Sequence, residues 1–588
     1  AYYNITESGV YDTSFIKLRD LTLTYQLPKL GIFDISIYGF ARNVLVWANL
    51  PNFDPESSQG NNNMSGYFER FSVPNTSSFG GGLTSNCYTY VIKILIRKKY
   101  IFMTLTVALL GLAACTEDAF DRINKDYEHP SPEAVPAALQ LTDAIMSTGF
   151  STVSGDFAFY LSSLNEQEIG MGNNQLMFAE MRNSSEWAAS TTFNNVWNSI
   201  YGNLQNIRQM QSKIENEVPG NVGQFDILGM AQVLEAVNFG VLTDMFGDIP
   251  YSEAVQGQGN LQPKLDAQKD VYTGILATLD KAIGNLEKGK SLTSAGNQDI
   301  AYKGVASKWL AAAHALKARY LLHKLAVEPN VLSEVATAVQ KAIDNGFEGF
   351  TVTGFNGSTC DNPWSAYVFS RQYTAPSKTV ADLMEATDDP RLDYYLNALG
   401  ESYTPGDETI AKTVDDARVM KYQPAWYLFG SQPIHIMSKA ELYFIQAEVQ
   451  LRSNIDATSA YQKAVEASVT EILTWFGDES TVPTAATIAK NYAMSLGAPT
   501  LQKLFEQKYV AQALDEQVET YNDLRRLKAM GEEYVILTNP RNTQSGINRY
   551  PERLPYGNSA VIGNPDVKEA YGDGSYIYSE KTWINGGK

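Results

Sequence analysis

Hydrophobic positions follow one rhythm near the start of this chain and another over most of its length. In Phe15–Tyr25, and again in Ile35–Ala41, β-branched and aromatic residues recur partly at period two, with Pro28 and Gly31 between the runs. That pattern predicts two strands joined by a turn. Residues 52–63 read as a polar loop and 77–83 as one further strand. Two or three strands cannot close a sheet or bury a core alone, so 1–83 reads as the end of a larger β structure. Beyond residue 115 the period lengthens. Positions 306, 309, 310, 313, 316 and 320 form one helical stripe over 305–322, and 440, 443, 444, 447 and 451 form another over 440–451. A shorter helix over 457–469 carries small Ala460 and Ala464 beside Tyr461, which gives a hairpin of tetratricopeptide shape. More helices are predicted over 224–246, 267–286 and 331–343. Stretches 347–378 and 400–435 are irregular and rich in Gly, Pro, Thr and aromatics. Loops that long in a helical scaffold usually carry function. The expected fold is mainly α, a tetratricopeptide-like scaffold with long irregular binding loops, plus a short N-terminal all-β fragment.

Between the two rhythms lie Arg97-Lys98-Lys99, an apolar run from Tyr100 to Leu112, and Ala113-Ala114-Cys115. A basic cluster, a short apolar run and a small-residue site is the layout of a secretory signal. The run falls short of the about 20 apolar residues a transmembrane helix needs. Leu112-Ala113-Ala114-Cys115 resembles a bacterial lipobox, which implies that Cys115 becomes the lipidated first residue of a mature protein. A signal in mid-chain reads as two gene products joined in one frame: 1–83, a junction over 84–96, the signal over 97–115, and 116–588.

Composition narrows the function. The formal net charge of −19 argues against nucleic acid and against polybasic attachment to anionic lipid. Three scattered cysteines, Cys87, Cys115 and Cys360, make no disulfide framework. The 34 tyrosines suit contact recognition as well as packing.

Two families are recognisable. Ser14 to Pro28, followed by Ile37-Tyr38-Gly39-Phe40-Ala41-Arg42-Asn43-Val44-Leu45 and Phe53-Asp54-Pro55-Glu56, resembles the end of a SusC-like TonB-dependent transporter, a large outer-membrane barrel. Asp244-Met245-Phe246-Gly247-Asp248-Ile249-Pro250-Tyr251, Asn362-Pro363-Trp364 with Asp389-Pro390-Arg391-Leu392, Ala440 to Glu448, Tyr521-Asn522-Asp523-Leu524-Arg525-Arg526 and Pro551 to Tyr556 together resemble a SusD/RagB-type outer-membrane nutrient-binding lipoprotein. This second resemblance spans nearly all of 115–588, in order. It departs after Tyr556, where Gly557-Asn558-Ser559-Ala560 stands in place of a common Glu. It implies a helical fold, surface exposure through a lipid anchor, and a SusC-like partner beneath.

Catalytic chemistry is scarce. His314 and His323, nine apart on one helix, point to opposite faces and cannot share a metal. No His-Glu-x-x-His, Cys-x-x-Cys or Walker loop is present. Glu441 and Glu448 lie two turns apart on a packed stripe without a cleft, and Glu448 with Arg452 forms an i,i+4 pair. No metal, cofactor or enzymatic activity is expected. Sugar rings present flat C–H faces to aromatic rings and hydroxyls to polar side chains. The candidate ligand residues are therefore Asn362, Trp364, Tyr367, Arg371 and Tyr373, with Phe369 beside them, and Trp426 and Tyr427, with Phe429. If they form a binding arc, Trp364 and Trp426 are partly exposed on one side of the scaffold; otherwise the rings pin the loops. Trp187 and Trp197 are expected in the core. The expected protein is a cell-surface, lipid-anchored binder that passes an oligosaccharide to its transporter. Peptide cargo and a surface glycan hydrolase are the alternatives.

Overall fold

In the computed structural model, residues 15–28, 33–48, 78–87, 135–170, 175–181, 189–371, 374–396, 424–537 and 549–587 are described. The chain divides into two compact units, Ala1–Asp126 and Tyr127–Lys588.

The first unit contains an antiparallel sheet of three strands, β1 (Phe15–Gln26), β2 (Phe33–Ala48) and β3 (Ser78–Cys87), in that order. The third strand runs past residue 83 because Leu83 to Cys87 continue the ladder against Ile37 to Phe33. Gly80 and Gly82 face Phe40 and Tyr38, whose rings occupy the space a Cβ would need. The glycine run is thus a device for seating two large rings across a strand pair. Leu21, Leu23, Tyr25 and Ile37 stay exposed. The loop over 52–63, the signal over 97–115 and Cys115 lie outside the described residues.

The second unit is mostly helical. Its longer helices are α1 (Ala137–Ser147), α2 (Gly155–Leu164), α3 (Asn194–Glu215), α4 (Phe225–Phe246), α5 (Gln268–Lys288), α6 (Ala306–His323) and α7 (Leu332–Asp344). After them come α8 (Pro363–Arg371), α9 (Lys439–Arg452), α10 (Thr458–Phe476), α11 (Ala485–Ser495), α12 (Leu501–Gln512) and α13 (Gln517–Ala529). Consecutive members pack as hairpins: α3 with α4, α4 with α5, α6 with α7, α9 with α10, α10 with α11. Helix α4 is buried along nearly its whole length, polar Asn238 and Asp244 included. Gly240 in it leaves room for the Tyr320 ring of α6, which sits where a Cβ would lie. Helix α7 buries only Val335, Ala338, Val339 and Ala342, a single stripe. In the α9–α10 hairpin, Ala460 and Ala464 share one cluster with Phe444, Ala447 and Tyr461, so the small residues do mark the crossing.

The irregular stretches are more ordered than their composition suggests. Strand β4 (Glu168–Gly170) pairs with β6 (Thr374–Pro376), and β5 (Phe350–Val352) pairs with β7 (Ile434–Met437). Between them, 363–371 is a helix rather than a loop. Its start is set locally: Asn362 caps it by accepting the Trp364 N–H at 2.8 Å, and Pro363 stands where the helix lacks an N–H partner.

Candidate functional site

The loop aromatics converge, but inward. Trp364 stacks on Tyr427 at 4.0 Å between centroids, Phe159 of α2 stacks on Tyr367 at 4.0 Å, and Trp426 meets Tyr395 and Tyr427 at 5.8 and 6.2 Å. Trp364 and Trp426 are 1% and 0% exposed, and Tyr367 and Tyr427 are buried with them. This corrects the expectation of two partly exposed indoles. The cause is helical spacing: on α8, positions 364, 367 and 368 share the face that packs against the body, and Phe369 projects from the other side at 61% exposure. Asn362 is buried too, and its amide is spent on structure. Its Nδ2 donates to the Gln432 carbonyl at 2.9 Å while its N–H donates to Gly430 at 2.7 Å. Arg371 ends α8 half-buried. Tyr373 lies outside the described residues, as does Trp187. Trp197 is in the core, as expected.

Beneath this cluster lies Glu168, fully buried, with neither carboxylate oxygen hydrogen-bonded. The neighbouring phenols cannot serve it. Tyr395 donates to the Gln167 carbonyl, Tyr427 to Ala513 and Tyr509 to Asn165, at 2.6, 3.1 and 2.7 Å. Burial pushes the Glu168 carboxyl well above the usual carboxylate range.

Outward-facing rings lie next to the cluster. Phe429 is 51% exposed and its ring centroid is 5.6 Å from that of Phe476, at the end of α10; Trp475 adjoins Phe476 at 6.2 Å. Sequence reading stopped this helix at Val469 and missed both residues. The available signal was Trp475-Phe476 immediately before Gly477, two large rings at a helix end. A separate cavity of about 470 Å³ is lined by Leu524, Leu527, Lys528, Tyr534, Arg549 and Tyr550 among others.

Apart from Asn362-Pro363-Trp364, which builds the ring cluster, several phrases of the family resemblance occupy a different place, the interior between α4, α6, α9, α12 and α13. Arg319 holds the Glu441 carboxylate through Nε at 2.8 Å and through Nη2. Arg526 grips Glu448 with both terminal nitrogens, at 2.6 and 2.9 Å, and reaches Asp523 at 2.7 Å. Lys508 closes on Asp523 at 2.6 Å, and Arg452 meets Glu448 at 2.8 Å, the expected i,i+4 pair. Arg525 donates to the Asp244 carbonyl and Asn522 to the Asp244 carboxylate. Glu441 and Glu448 are therefore anchors for arginines, not an acid–base pair.

His323 sits between two carboxylates of this network, with Nε2 2.9 Å from Glu519 and Nδ1 3.2 Å from Asp244. Burial alone would lower its pKa; the carboxylates Asp244 and Glu519 outweigh that and raise it to about 9. Burial would likewise raise the Glu519 carboxyl, but Arg319 and His323 bring it down to about 2. These three side chains are close enough to suggest a metal site. Nε2, however, addresses Glu519, while Nδ1 lies 3.0 Å from the Tyr272 hydroxyl and 3.2 Å from Asp244, so the two ring nitrogens have partners on opposite sides. A metal would need one nitrogen lone pair facing both acids. His314, on the opposite face of α6, is pushed down to about 4, mainly by burial.

Among curated protein sequences, none matches the chain. A SusD/RagB family protein from Bacteroides thetaiotaomicron VPI-5482 is similar, with 33% identity, 77% of this chain and 100% of that chain covered, and a TM-score of 0.67. A SusD homologue from Bacteroides fragilis NCTC 9343 has 21% identity over 77% of this chain and 100% of its own, with a TM-score of 0.61. A chitin-binding SusD homologue from Flavobacterium johnsoniae has 20% identity over 76% of this chain and 98% of its own, with a TM-score of 0.57. The SusD-like family described as "Starch-binding associating with outer membrane" matches residues 143–557, and the chain belongs to that family.

Proposed function

We propose that residues 116–588 form a cell-surface lipoprotein, anchored through Cys115, that binds an oligosaccharide and passes it to a SusC-like TonB-dependent transporter. The observation that carries this reading is the family of residues 143–557, described as starch-binding and associated with the outer membrane. A solved relative described as chitin-binding supports a saccharide rather than a peptide. The ligand face lies over the ring cluster of 362–371 and 424–429. The buried rings Trp364, Tyr367, Trp426 and Tyr427 hold its floor, and Phe369 and Phe429 point outward. The family description names binding, which supports a binder rather than a hydrolase. Residues 1–83 are the tail of such a transporter; three antiparallel strands with Leu21, Leu23 and Tyr25 exposed suit strands taken from a barrel wall.

The test is made in the native host. Deleting the coding region for 116–588 should abolish surface capture of one polysaccharide and growth on it at low concentration, while growth on its monosaccharide continues. The protein should also co-purify with a SusC-like transporter from outer membranes. Unchanged growth and capture on every polysaccharide tested would refute the reading.

A further inference from the structure

We propose that Phe429, Trp475 and Phe476, with the carboxylate of Glu471, form a subsite for a neutral hexose unit at the C-terminal end of α10. The proposal rests on the saccharide-binding reading above and adds a place and a specificity to it.

The helix geometry comes first. Glu471 and Trp475 are four residues apart on α10 and so share a face. Phe476 ends the helix beside them, and Phe429 arrives from the 424–430 segment. The ring-to-ring steps of 5.6 and 6.2 Å are comparable to the width of one sugar ring. Single exposed apolar residues need no explanation. Three adjoining rings beside a fixed carboxylate make a more specific arrangement.

The carboxylate is fixed from below. The His435 ring lies parallel to Trp475, with centroids 5.5 Å apart and planes 10° apart. Its Nε2 is 2.9 Å from Glu471 Oε1, and its Nδ1 is 3.0 Å from Asp515 Oδ1. Both His435 and Asp515 are buried, whereas the Glu471 side chain keeps 25% of its surface open. One histidine therefore supports the indole plane and orients the carboxylate beside it. A locked ring and a locked acceptor lose little freedom when a ligand arrives, which is where binding energy is otherwise lost.

The acid also decides which sugars fit. Asp361 is exposed, and its Oδ1 would lie 2.9 Å from a Cβ at Gly430, so a second carboxylate stands beside the residue that follows Phe429. Two carboxylates accept hydroxyl hydrogen bonds and repel a uronate or a sulfated sugar. The stacking rings supply the apolar face. Neutral hexoses fit this set; acidic ones do not.

The experiment uses residues 116–588, which contain the compact unit Tyr127–Lys588. The polysaccharide it binds is found on a panel of neutral and acidic polysaccharides. Affinities of wild type, Phe429→Ala, Phe476→Ala and Glu471→Gln are then measured for an oligosaccharide of it. Each ring variant should bind at least tenfold more weakly and Glu471→Gln several-fold more weakly. Hydroxyl-radical footprinting of the wild type should show Phe429, Trp475 and Phe476 protected by the oligosaccharide, a readout that needs no variant. If the wild type binds but these variants bind equally and the three rings stay unprotected, the subsite is wrong and the saccharide-binding reading stands. Preference for acidic polysaccharides overturns the specificity. Failure to bind any saccharide overturns both.

Discussion

His323 offers a test of how the scaffold is held together. Its imidazolium bridges Asp244 of α4 and Glu519 of α13 from its seat at the end of α6. The folded state raises its pKa from 6.5 to about 9. A group with a raised folded pKa contributes stability that is fully present below its unfolded pKa and is lost as pH rises through the folded one. The window therefore runs from pH 6.5 to about 9, and the shift is worth about 3 kcal/mol at 1.36 kcal/mol per unit. Glu519's downward shift describes the same contacts from the other side and is not added to it. His323→Gln keeps the size and hydrogen-bonding capacity but can never be charged. Unfolding free energies of residues 116–588 from urea titrations, for wild type and variant, are compared at half-unit steps from pH 6 to 10. Other titrating groups, His435 and Glu516 among them, are present in both proteins and cancel. The wild-type advantage should be largest near pH 6 and shrink by about 3 kcal/mol by pH 10. A difference that stays constant across this range would show that His323 is not the bridging cation, and the reasoning would fail.

Two other outcomes follow from particular burials and a third from the lipobox. Trp364→Ala should destabilise the second unit by about 3–5 kcal/mol, measured by denaturant unfolding, because it removes a fully buried ring stacked on Tyr427. Glu168→Gln should gain stability relative to wild type as pH rises above 4.5 in thermal melts. The raised pKa of Glu168 means that its protonated form stabilises below the unfolded value and that this is lost as pH climbs through the folded one. Cys115→Ala, expressed with a natural signal in the native host, should move the protein from the membrane to the soluble fraction on cell fractionation, since stable anchoring takes more than one acyl chain.

Much of the scaffold was legible in the sequence because apolar residues recur at helical spacing, even where burial extends nearly all round, as over Ala306–His323. The stripe over 305–322 became Ala306–His323, and the one over 440–451 became Lys439–Arg452. The candidate site was less legible. Asn362-Pro363 is a helix-start signature, but the surrounding Gly and Thr made the segment read as loop. Once 363–371 is a helix, Trp364 and Tyr367 fall on its inner face and the exposure argument reverses. The phrase Tyr521 to Arg526 reads as polar surface by composition. Its burial depends on Asp244, Glu448 and Lys508, which lie on other helices, and no local pattern reveals that Arg526 and Glu448 satisfy one another. Trp475 and Phe476 escaped notice because the predicted helix ended about two turns early.

Whether this chain captures a saccharide is tested most directly by calorimetric titration of residues 116–588 with purified oligosaccharides and, in parallel, with peptides of similar size. The account predicts saturable binding to at least one neutral oligosaccharide, abolished when Phe429 and Phe476 are both replaced by Ala, and no heat of binding with the peptides. Saturable peptide binding with no response to any oligosaccharide would contradict it.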